Sequence, residues 1–481
     1  MSTNYATFLR RDVLTKLCKL HLNNELIEKI DRVPIDLHPR GKQIIRCCIH
    51  KMRAVAKYRA MAILGFNYDD EEDEITPLSE YAKKALNRVN RSDIYLTVVD
   101  EACSSCVKSS YTVSNLCRGC IGRHCAFACN KGAVTFRDGQ AHIDHEKCVN
   151  CGLCMKACPF RAIIYQPVPC EESCPVGAVS KNERGVEQID HEKCIQCGQC
   201  MSACPFGAIV EKSDIFDIIK VIKNQAKKVI ALPAPAIFGQ FKTEPGKIIT
   251  AIKKLGFDEV VEVAKGANTT SANEAEEFEE RIINGQEKFM TTSCCPSYML
   301  MVKKHMPEIQ PYVSHTRTPM SYTAELVKKE EPDAITVFIS PCIAKRNEGF
   351  HDPNVDYVLT IEELDSWFTA AEIDILECEP ETLDTSIHPS GRGYPLIKGV
   401  ANSVIVYSKD ENKDMIKPII IDGLNKQNIR ILRSYAKECP GNLVEVMSCE
   451  GGCVSGCANI GNVKTAVRQI QAFSTLKNKN I

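Results

Sequence analysis

Cysteine dominates the chemistry available to this chain: 27 of its 481 residues are cysteines, most of them in short, regular groups. Disulfides explain such counts in small secreted domains, whereas clustered thiols in a chain of this length favour metal ligation. The last group, in residues 449–457, has three cysteines four residues apart, interleaved with glycines that let the backbone approach a bulky ligand. Together with Cys294-Cys295 and Cys342, this group predicts a cage around a metal–sulfur cofactor.

An internal repeat contains the densest cysteines. Residues 143–160 recur with few changes as residues 189–206, and each copy has the pattern Cys-x2-Cys-x2-Cys-x3-Cys-Pro. This is the pattern of bacterial ferredoxins, in which three cysteines of one loop bind a [4Fe–4S] cube and the fourth binds the neighbouring cluster. A structural zinc site would favour two separated Cys-x-x-Cys pairs. The repeat therefore predicts iron–sulfur modules that carry electrons between the surface and a buried site.

The cross-ligation rule predicts three to four accessory [4Fe–4S] clusters. Upstream of the second repeat stand only Cys170 and Cys174, because Ala162 and Tyr165 occupy the positions of two further ligands. An orphan pair earlier in the chain, Cys103 and Cys106, would supply these two ligands. The fourth group is therefore a hypothesis. The predicted groups are Cys117, Cys120, Cys125 with Cys158; Cys148, Cys151, Cys154 with Cys129; Cys194, Cys197, Cys200 with Cys174; and Cys103, Cys106, Cys170 with Cys204.

Composition and charge exclude several classes of function. The net charge is −1 and no long basic block occurs, so we expect no nucleic-acid partner, because phosphate binding needs clustered Lys and Arg. The first thirty residues contain no unbroken apolar stretch with a cleavage site, and no window approaches the length of a membrane span. These patterns predict a soluble, cytoplasmic protein without a membrane partner.

The elements that must position the cysteines fall into three predicted regions. Residues 1–100 show apolar stripes at helical spacing and predict a helical N-terminal region to which the sequence assigns no function. Residues 101–210 form the predicted tandem ferredoxin-like (α+β) region, and residues 211–481 alternate helix and strand as an α/β catalytic domain. Predicted strands run directly into Cys342 and into Cys449, as expected where a parallel sheet binds a ligand at its carboxyl edge.

Three loops together resemble the signature loops of [FeFe]-hydrogenases. They are Thr292-Ser-Cys-Cys-Pro, Pro341-Cys-x-x-Lys-x-x-Glu and Met447-x-Cys-x-x-x-Cys. The resemblance covers roughly residues 225–465 and implies parallel-sheet lobes around an H-cluster, a [4Fe–4S] cluster bridged to a diiron site that carries CO, CN and a dithiolate amine. By motif position, the resemblance implies the ligands Cys295, Cys342, Cys449 and Cys453, with Cys453 as the bridge.

The same resemblance implies roles for residues near the cofactor. Cys294 matches the family's proton-relay thiol, Lys345 the lysine that hydrogen-bonds a cyanide, and Pro235 and Met447 the residues that crowd the diiron site. Residues 273–281 alone would predict a solvated helix face, because carboxylates and an arginine crowd this stretch. The resemblance instead implies a proton relay. Its members would be Glu274, Glu277, Arg281 and Ser314.

This chain also departs from the better-known pattern, which places it in a less-studied branch. Tyr298 stands where tryptophan is usual, Ser340 where methionine is usual, and Cys457 within a run that is normally glycine. These departures leave the implied ligand set intact. For Cys457 a buried neutral thiol is favoured over a reactive one.

The implied function is that of a ferredoxin hydrogenase: reversible reduction of protons to H2, with electrons relayed through the ferredoxin-type clusters to a soluble ferredoxin-like carrier. Hydrogenase maturation proteins would be needed to install the diiron site. Two alternatives share the fold. A cytosolic iron–sulfur assembly protein would generally lack the paired thiols, whereas Cys294 is present, and a hydrogen sensor would usually carry a signalling domain and a degenerate relay cysteine.

Overall fold

A computed structural model describes residues 5–41, 48–71, 73–88 and 91–475, so part of the predicted N-terminal region lies outside the described residues. The N-terminal region is helical up to a short strand. Its elements are α1 (Tyr5–Leu22), α2 (Leu26–Lys29), α3 (Val33–Leu37), α4 (Ile49–Ile63), α5 (Leu78–Leu86) and β1 (Leu96–Val98). Helix α1 buries Leu14, Leu17 and Leu20, as expected from the apolar stripe.

Two small cysteine-rich units follow. We call residues 107–166 the first cysteine module and residues 168–211 the second cysteine module. The first contains β2 (Ser110–Val113), α6 (His124–Phe127), β3 (Val134–Arg137), β4 (Gln140–Ile143), α7 (Leu153–Ala157) and β5 (Ile163–Gln166); the second contains α8 (Pro169–Ser173), β6 (Val179–Lys181), β7 (Glu187–Ile189), α9 (Gln199–Ala203) and β8 (Ile209–Glu211).

Each module is built on antiparallel pairs, which gives the predicted α+β character. Strands β3 and β4 form a hairpin in the first module, as β6 and β7 do in the second, and β2 pairs with β5. Strand β8 pairs antiparallel with β1 and so joins the second module to the N-terminal region. Gly152 and Gly198 start α7 and α9 at φ of +74° and +73°, a left-handed conformation that glycine adopts without a Cβ penalty.

The rest of the chain is an α/β domain with two parallel sheets. One sheet has the strand order β10-β9-β12-β13 and the other β11-β15-β14. The strands are β9 (Val229–Pro233), β10 (Glu259–Val260), β11 (Met290–Thr291), β12 (Ile335–Ser340), β13 (Tyr357–Thr360), β14 (Pro418–Asp422) and β15 (Leu443–Met447). The two parallel sheets confirm the predicted α/β class with parallel-sheet lobes.

Helices cover these sheets. They are α10 (Ile215–Asn224), α11 (Pro245–Lys254), α12 (Ala264–Phe278), α13 (Pro296–His305), α14 (Pro319–Glu330), α15 (Ala344–His351), α16 (Ile361–Ala370), α17 (Pro389–Arg392), α18 (Gly399–Tyr407), α19 (Asp410–Lys413), α20 (Lys426–Tyr435) and α21 (Val463–Phe473). Helix α1 packs on α16, where Arg10 forms a buried ion pair with Glu362 at 2.5 Å. Among the described helices, none has the length and apolarity to cross a membrane.

Candidate metal centre

The carboxyl ends of the parallel strands converge on one cavity. Strand β9 runs into Pro235, β11 into the Cys294-Cys295 pair, β12 into Cys342 and β15 into Met447. Because the carboxyl ends of parallel strands meet at one edge, residues far apart in sequence come together there. The cavity and its open mouth together contain about 910 Å³ of space outside protein atoms, and every one of these residues contributes to the lining.

Four thiols from three loops line this cavity. They are Cys295, Cys342, Cys449 and Cys453. Burial raises the pKa of all four, that of Cys342 to about 12, and the charge of neighbouring thiols raises the pKa of Cys342, Cys449 and Cys453 further. A cationic group inside the cavity would reverse that shift, since thiolate is the form that binds metal. The donor set therefore fits an iron–sulfur cubane.

Lys345 contributes the cation in the cavity wall. Its side chain is buried, and Nζ donates to both carboxylate oxygens of Glu348, at 2.9 and 2.7 Å. Burial alone would lower the pKa of Lys345, but Glu348 and the neighbouring thiols more than compensate and raise it. The ammonium is therefore charged, and its remaining donor capacity suits a small anionic ligand.

Apolar side chains complete the wall. They include Pro235, Val263, Met320, Phe338 and Met447. All but Phe338 lie in loops or at element ends that close over the strand edge. Such a lining excludes water and lowers the local dielectric constant, which strengthens any interaction of a bound group with Lys345.

Cys294 and Glu274 form an acidic pair beside these four thiols. Cys294 lines the cavity, and burial, assisted by the charge of Glu274, raises the pKa of its thiol well above the ordinary value. Glu274 is wholly buried, and burial raises its pKa to about 8. Its Oε1 accepts from the Ser293 N–H at 3.3 Å, and among the described residues its Oε2 has no hydrogen-bond partner. Both groups therefore hold protons at neutral pH.

Hydrogen bonds among Ser314, Glu277 and Arg281 lead from the neighbourhood of this pair to the surface. The Ser314 hydroxyl donates to Glu277 Oε2 at 2.6 Å and also lowers the pKa of Glu274. Arg281 Nη1 donates to Glu277 Oε1 at 2.5 Å, and its Nη2 reaches the more exposed Glu287 at 2.7 Å. Burial alone would raise the pKa of Glu277, yet the hydrogen bonds from Ser314, Arg281 and the residues after Ser314 lower it overall.

The burial of Glu274 contradicts the solvated helix face that residues 273–281 alone would predict. Glu274 lies on the inner face of α12 and Glu277 is half-buried, whereas Glu276 and Glu280 are exposed. A π-helical turn at Glu279–Ile283 follows α12 and carries Arg281 to Glu277. The structure thus brings together all four residues of the predicted relay.

Two further cavities lie in the first cysteine module, each surrounded by four cysteines. Cys117, Cys120, Cys125 and Cys158 line one, and Cys129, Cys148, Cys151 and Cys154 line the other. These are the first two predicted groups. Within the described residues, no three His, Cys, Asp or Glu side chains converge on a position for a single metal ion; the four thiols of each set instead surround a space.

The second cysteine module brings together the other two groups. Burial raises the pKa of Cys194, Cys197 and Cys200, and the charge of neighbouring thiols, that of Cys174 included, raises it further, so the four lie close together. Cys106 is likewise close to Cys103 and Cys204, and Cys170 to Cys204. The orphan pair, Cys103 and Cys106, thus lies beside Cys204 of the group that it was predicted to complete.

Cys457 lies between the second cysteine module and the central cavity. It lines that cavity, and its thiol is close to Cys197 on one side and to Cys342 on the other. A Cβ added at Gly198 would stand 2.4 Å from Cys457 Sγ, so the glycine is required for this close approach. Burial raises the pKa of Cys457 well above the ordinary value, in agreement with a neutral thiol.

Sequence patterns missed one buried group that lines the cavity and another that lies near Cys294 and Cys453. The Tyr394 ring lines the cavity beside Cys294, and its hydroxyl lies 2.8 Å from Ser271 Oγ. Glu445 is wholly buried with a pKa raised to about 7 by burial, and it accepts the N–H groups of Lys398 and Ala401 at 2.8 Å. A tyrosine after glycine or a glutamate inside a strand carries no spacing signal, so only the three-dimensional arrangement identifies them.

Family comparisons agree with these features. Residues 227–457 match the model of the iron only hydrogenase large subunit, C-terminal domain, and residues 141–164 and 187–210 match that of the 4Fe-4S binding domain. The two 4Fe-4S matches coincide with the two copies of the repeat.

Individual relatives are distant. The chain is 29% identical over 371 residues to the periplasmic [Fe] hydrogenase large subunit of Nitratidesulfovibrio vulgaris, which covers 65% of this chain and 85% of the relative. It is 28% identical over 381 residues to iron hydrogenase 1 of Clostridium pasteurianum, covering 67% of this chain and 65% of that one. Cytosolic iron-sulfur assembly component 3 of Rattus norvegicus is 25% identical over 280 residues, 47% of this chain and 59% of the relative.

The order of the domains, the family matches and the two parallel sheets lead to one assignment. The chain is an [FeFe]-hydrogenase-like iron–sulfur protein, in which ferredoxin-type 4Fe-4S modules precede an iron-only hydrogenase domain.

Proposed function

We propose that this protein is a hydrogenase that interconverts protons, electrons and H2. One observation carries the proposal: four thiols from three strand-end loops line a single buried cavity, with Lys345 in its wall and the Cys294–Glu274 pair at its edge. An iron–sulfur assembly protein needs the four thiols but has no use for a proton relay that ends in the same cavity. The relay therefore favours hydrogen chemistry over the assembly function suggested by the more distant relative.

The residues that would hold the cofactor follow from the cavity. Cys295, Cys342, Cys449 and Cys453 would bind the cubane, with Cys453 also bridging to the diiron site, while Lys345 would donate to an anionic ligand. When bound, the cofactor would supply electrons one at a time and an open iron position for H2. Pro235 and Met447 restrict the space beside it and exclude water.

The side chains beside the cavity would move the proton. Cys294 holds a proton next to the reacting position, and Glu274, with a pKa of about 8, is protonated at neutral pH. The Ser314 hydroxyl passes a proton between Glu274 and Glu277, and Glu277 exchanges it with solvent near Arg281. Because the two carboxyl groups differ in pKa, one holds a proton while the other is ready to receive it.

Electrons would reach the cavity through the two cysteine modules. The second module lies against the cavity, where its Cys197 is close to Cys457, whereas the first module precedes it in the chain and has the exposed Cys151. Four accessory clusters in these modules, one of them held by Cys103, Cys106, Cys170 and Cys204, form the proposed wire. At its outer end it would exchange electrons with a ferredoxin-like carrier.

The cofactor itself can be tested by infrared spectroscopy. The chain is produced together with hydrogenase maturation proteins, and we expect CO and CN stretching bands from the purified protein. Cys453→Ala should lose those bands, whereas Cys439→Ala, a change at a cysteine away from the cavity, should keep them. Iron–sulfur clusters without CO and CN bands, together with no H2 from reduced viologen, would overturn the hydrogenase and support the assembly function.

The relay has its own test on α12. Glu277→Gln keeps the shape but cannot carry a proton, so we expect turnover to fall by about 100-fold. Glu276→Gln is the matched control, because Glu276 is exposed on the same helix and should change turnover less than twofold. Undiminished turnover in Glu277→Gln, with an unchanged infrared spectrum, would remove Glu277 from the relay.

A further inference from the structure

Four large apolar side chains are exposed around one predicted cluster of the first cysteine module. Leu116, Ile121, Phe127 and Phe160 are 59%, 99%, 85% and 48% exposed. We call them the apolar rim. Each stands within two residues of Cys117, Cys120, Cys125 or Cys158, which surround one cavity, and Phe160 lines that cavity itself.

Isolated exposed apolar residues need no explanation, but contiguous ones commonly mark a binding surface. The module does not need these side chains for its own core. That core is formed by Tyr111, Val134, Ala141, Ile163 and buried cysteines, all within the module. The rim therefore costs solubility without contributing to the fold, which points to a partner that covers it.

The charge around the rim identifies the chemistry of that partner. The first cysteine module carries eight Lys and Arg residues against three Asp and Glu residues, although the whole chain has a net charge of −1. Among the described residues, the only ion pair of these eight is Lys147 with Asp144, at 3.4 Å. Arg118 and Arg161 are exposed beside the rim, and Arg118 also lines the cluster cavity.

We propose that the apolar rim and its flanking arginines are the docking surface for an acidic one-electron carrier protein. The inference rests on the proposed function, which requires electrons from a ferredoxin-like carrier to enter the chain, and adds the surface on which that carrier docks. A carrier on the rim would lie next to the cluster held by Cys117, Cys120, Cys125 and Cys158. The transfer oxidises the carrier by one electron and reduces that cluster by one, and no bond or proton moves.

Electrostatics and burial would divide the work. Arg118 and Arg161 attract an acidic partner over distance and so raise the rate of encounter. Salt screens this attraction and lowers that rate. The apolar rim, once covered, slows dissociation, because aromatic side chains near the centre of an interface carry much of its binding energy. The two contributions should therefore respond to different substitutions.

The test uses the matured full-length chain and a reduced, acidic bacterial ferredoxin as the probe. Stopped-flow absorbance follows oxidation of the ferredoxin by the chain, a step that does not require H2 formation. Between about 0.01 M and 1 M salt, where the Debye length falls from about 30 Å to 3 Å, we expect the second-order rate constant to fall at least about tenfold.

Substitutions then separate the two contributions. The double variant Arg118→Glu/Arg161→Glu should lower the rate constant at low salt by about tenfold or more and remove most of its salt dependence. Phe127→Ala should weaken ferredoxin binding by about tenfold and keep the salt dependence. Arg430→Glu and Leu376→Ala, matched changes at exposed residues of the hydrogenase domain, should stay within twofold.

Contrary outcomes are distinct. An unmodified rate in the double variant overturns the proposal, and so does a rate in the unmodified chain that salt does not change, which needs no variant to fold. Self-association of the chain that the same substitutions abolish would assign the rim to a second copy and would also overturn it. Failure of the proposed function instead leaves ferredoxin oxidation intact while reduced viologen yields no H2.

Discussion

The two cysteine modules contain nearly the same repeat in different surroundings. In the second module, five of the six cysteines are buried, whereas in the first only Cys125 and Cys154 are buried and Cys151 is exposed. Lys304 donates to the Cys194 carbonyl at 2.7 Å and Gln199 to the Ser448 carbonyl at 3.1 Å, so the hydrogenase domain holds the second module directly. The first module has a core of its own. The repeat thus defines how the cysteines of a module are arranged, and the surroundings decide whether the module lies at the surface or against the central cavity.

The largest expected difference follows from removing the same cysteine in each copy. Cys154 and Cys200 are equivalent positions of the repeat, and both are buried. We expect Cys200→Ala to lower the unfolding temperature by about 5 °C or more, because the second module packs on the hydrogenase domain, and Cys154→Ala to lower it by about 2 °C or less. Differential scanning calorimetry measures both, and equal shifts would contradict the comparison.

Iron removal should proceed in an order that follows exposure. With an excess of a chelator, the two groups of the first module should release about eight iron atoms before the buried groups of the second. Colourimetric iron release against time should then show two phases, with the fast phase missing in a Cys120→Ala/Cys151→Ala variant. A single phase that includes all clusters would mean that exposure does not control access to the iron.

The boundary between the modules can be located by counting iron. Cys103 precedes the first module in sequence but lies beside Cys106, and the pair lies near Cys204 of the second module. We expect Cys103→Ala to bind about four iron atoms fewer than the unmodified chain. Cys48→Ala, a change at an exposed cysteine of the N-terminal region, is the control and should keep the full count. No loss of iron in Cys103→Ala would remove the fourth group.

The smallest expected effect concerns the contact between the second module and the central cavity. Cys457→Ala removes a thiol that packs against Gly198 and accepts the Ile343 N–H, so we expect a loss of about 1 kcal/mol in the free energy of unfolding and no change in iron content. Chemical denaturation with iron analysis provides both values. A loss of about four iron atoms would instead make Cys457 a cluster ligand.

Much of this arrangement could be predicted from the sequence, because local patterns encode it. The ferredoxin spacing fixes which cysteines share a loop, and runs such as residues 335–339 predict the strand that carries Cys342 to the cavity. Burial of side chains without such a pattern could not be predicted. The charged neighbours of Glu274 predict a solvated side chain, yet Glu274 lies on the inner face of α12 and is wholly buried.

The different surroundings of the two modules were equally invisible in the repeat. Strand β1 of the N-terminal region pairs with β8 of the second module. The nearly identical loops of the two modules do not predict this pairing. The apolar rim of the first module is exposed because no other described segment packs over it. Contacts between distant segments decide both features, and one sequence does not specify those contacts locally.

The most direct test of hydrogen chemistry in the central cavity measures H2 from the matured chain with reduced methyl viologen as electron donor. Viologen bypasses the proposed docking surface, so the result reports on the central cavity alone. We expect H2 evolution by the unmodified chain and a loss of at least about 100-fold in Cys294→Ala, with the CO and CN infrared bands retained in both. A chain that carries those bands but evolves no H2 would contradict the proposed hydrogenase function. A Cys294→Ala variant with full turnover would contradict the proposed proton relay.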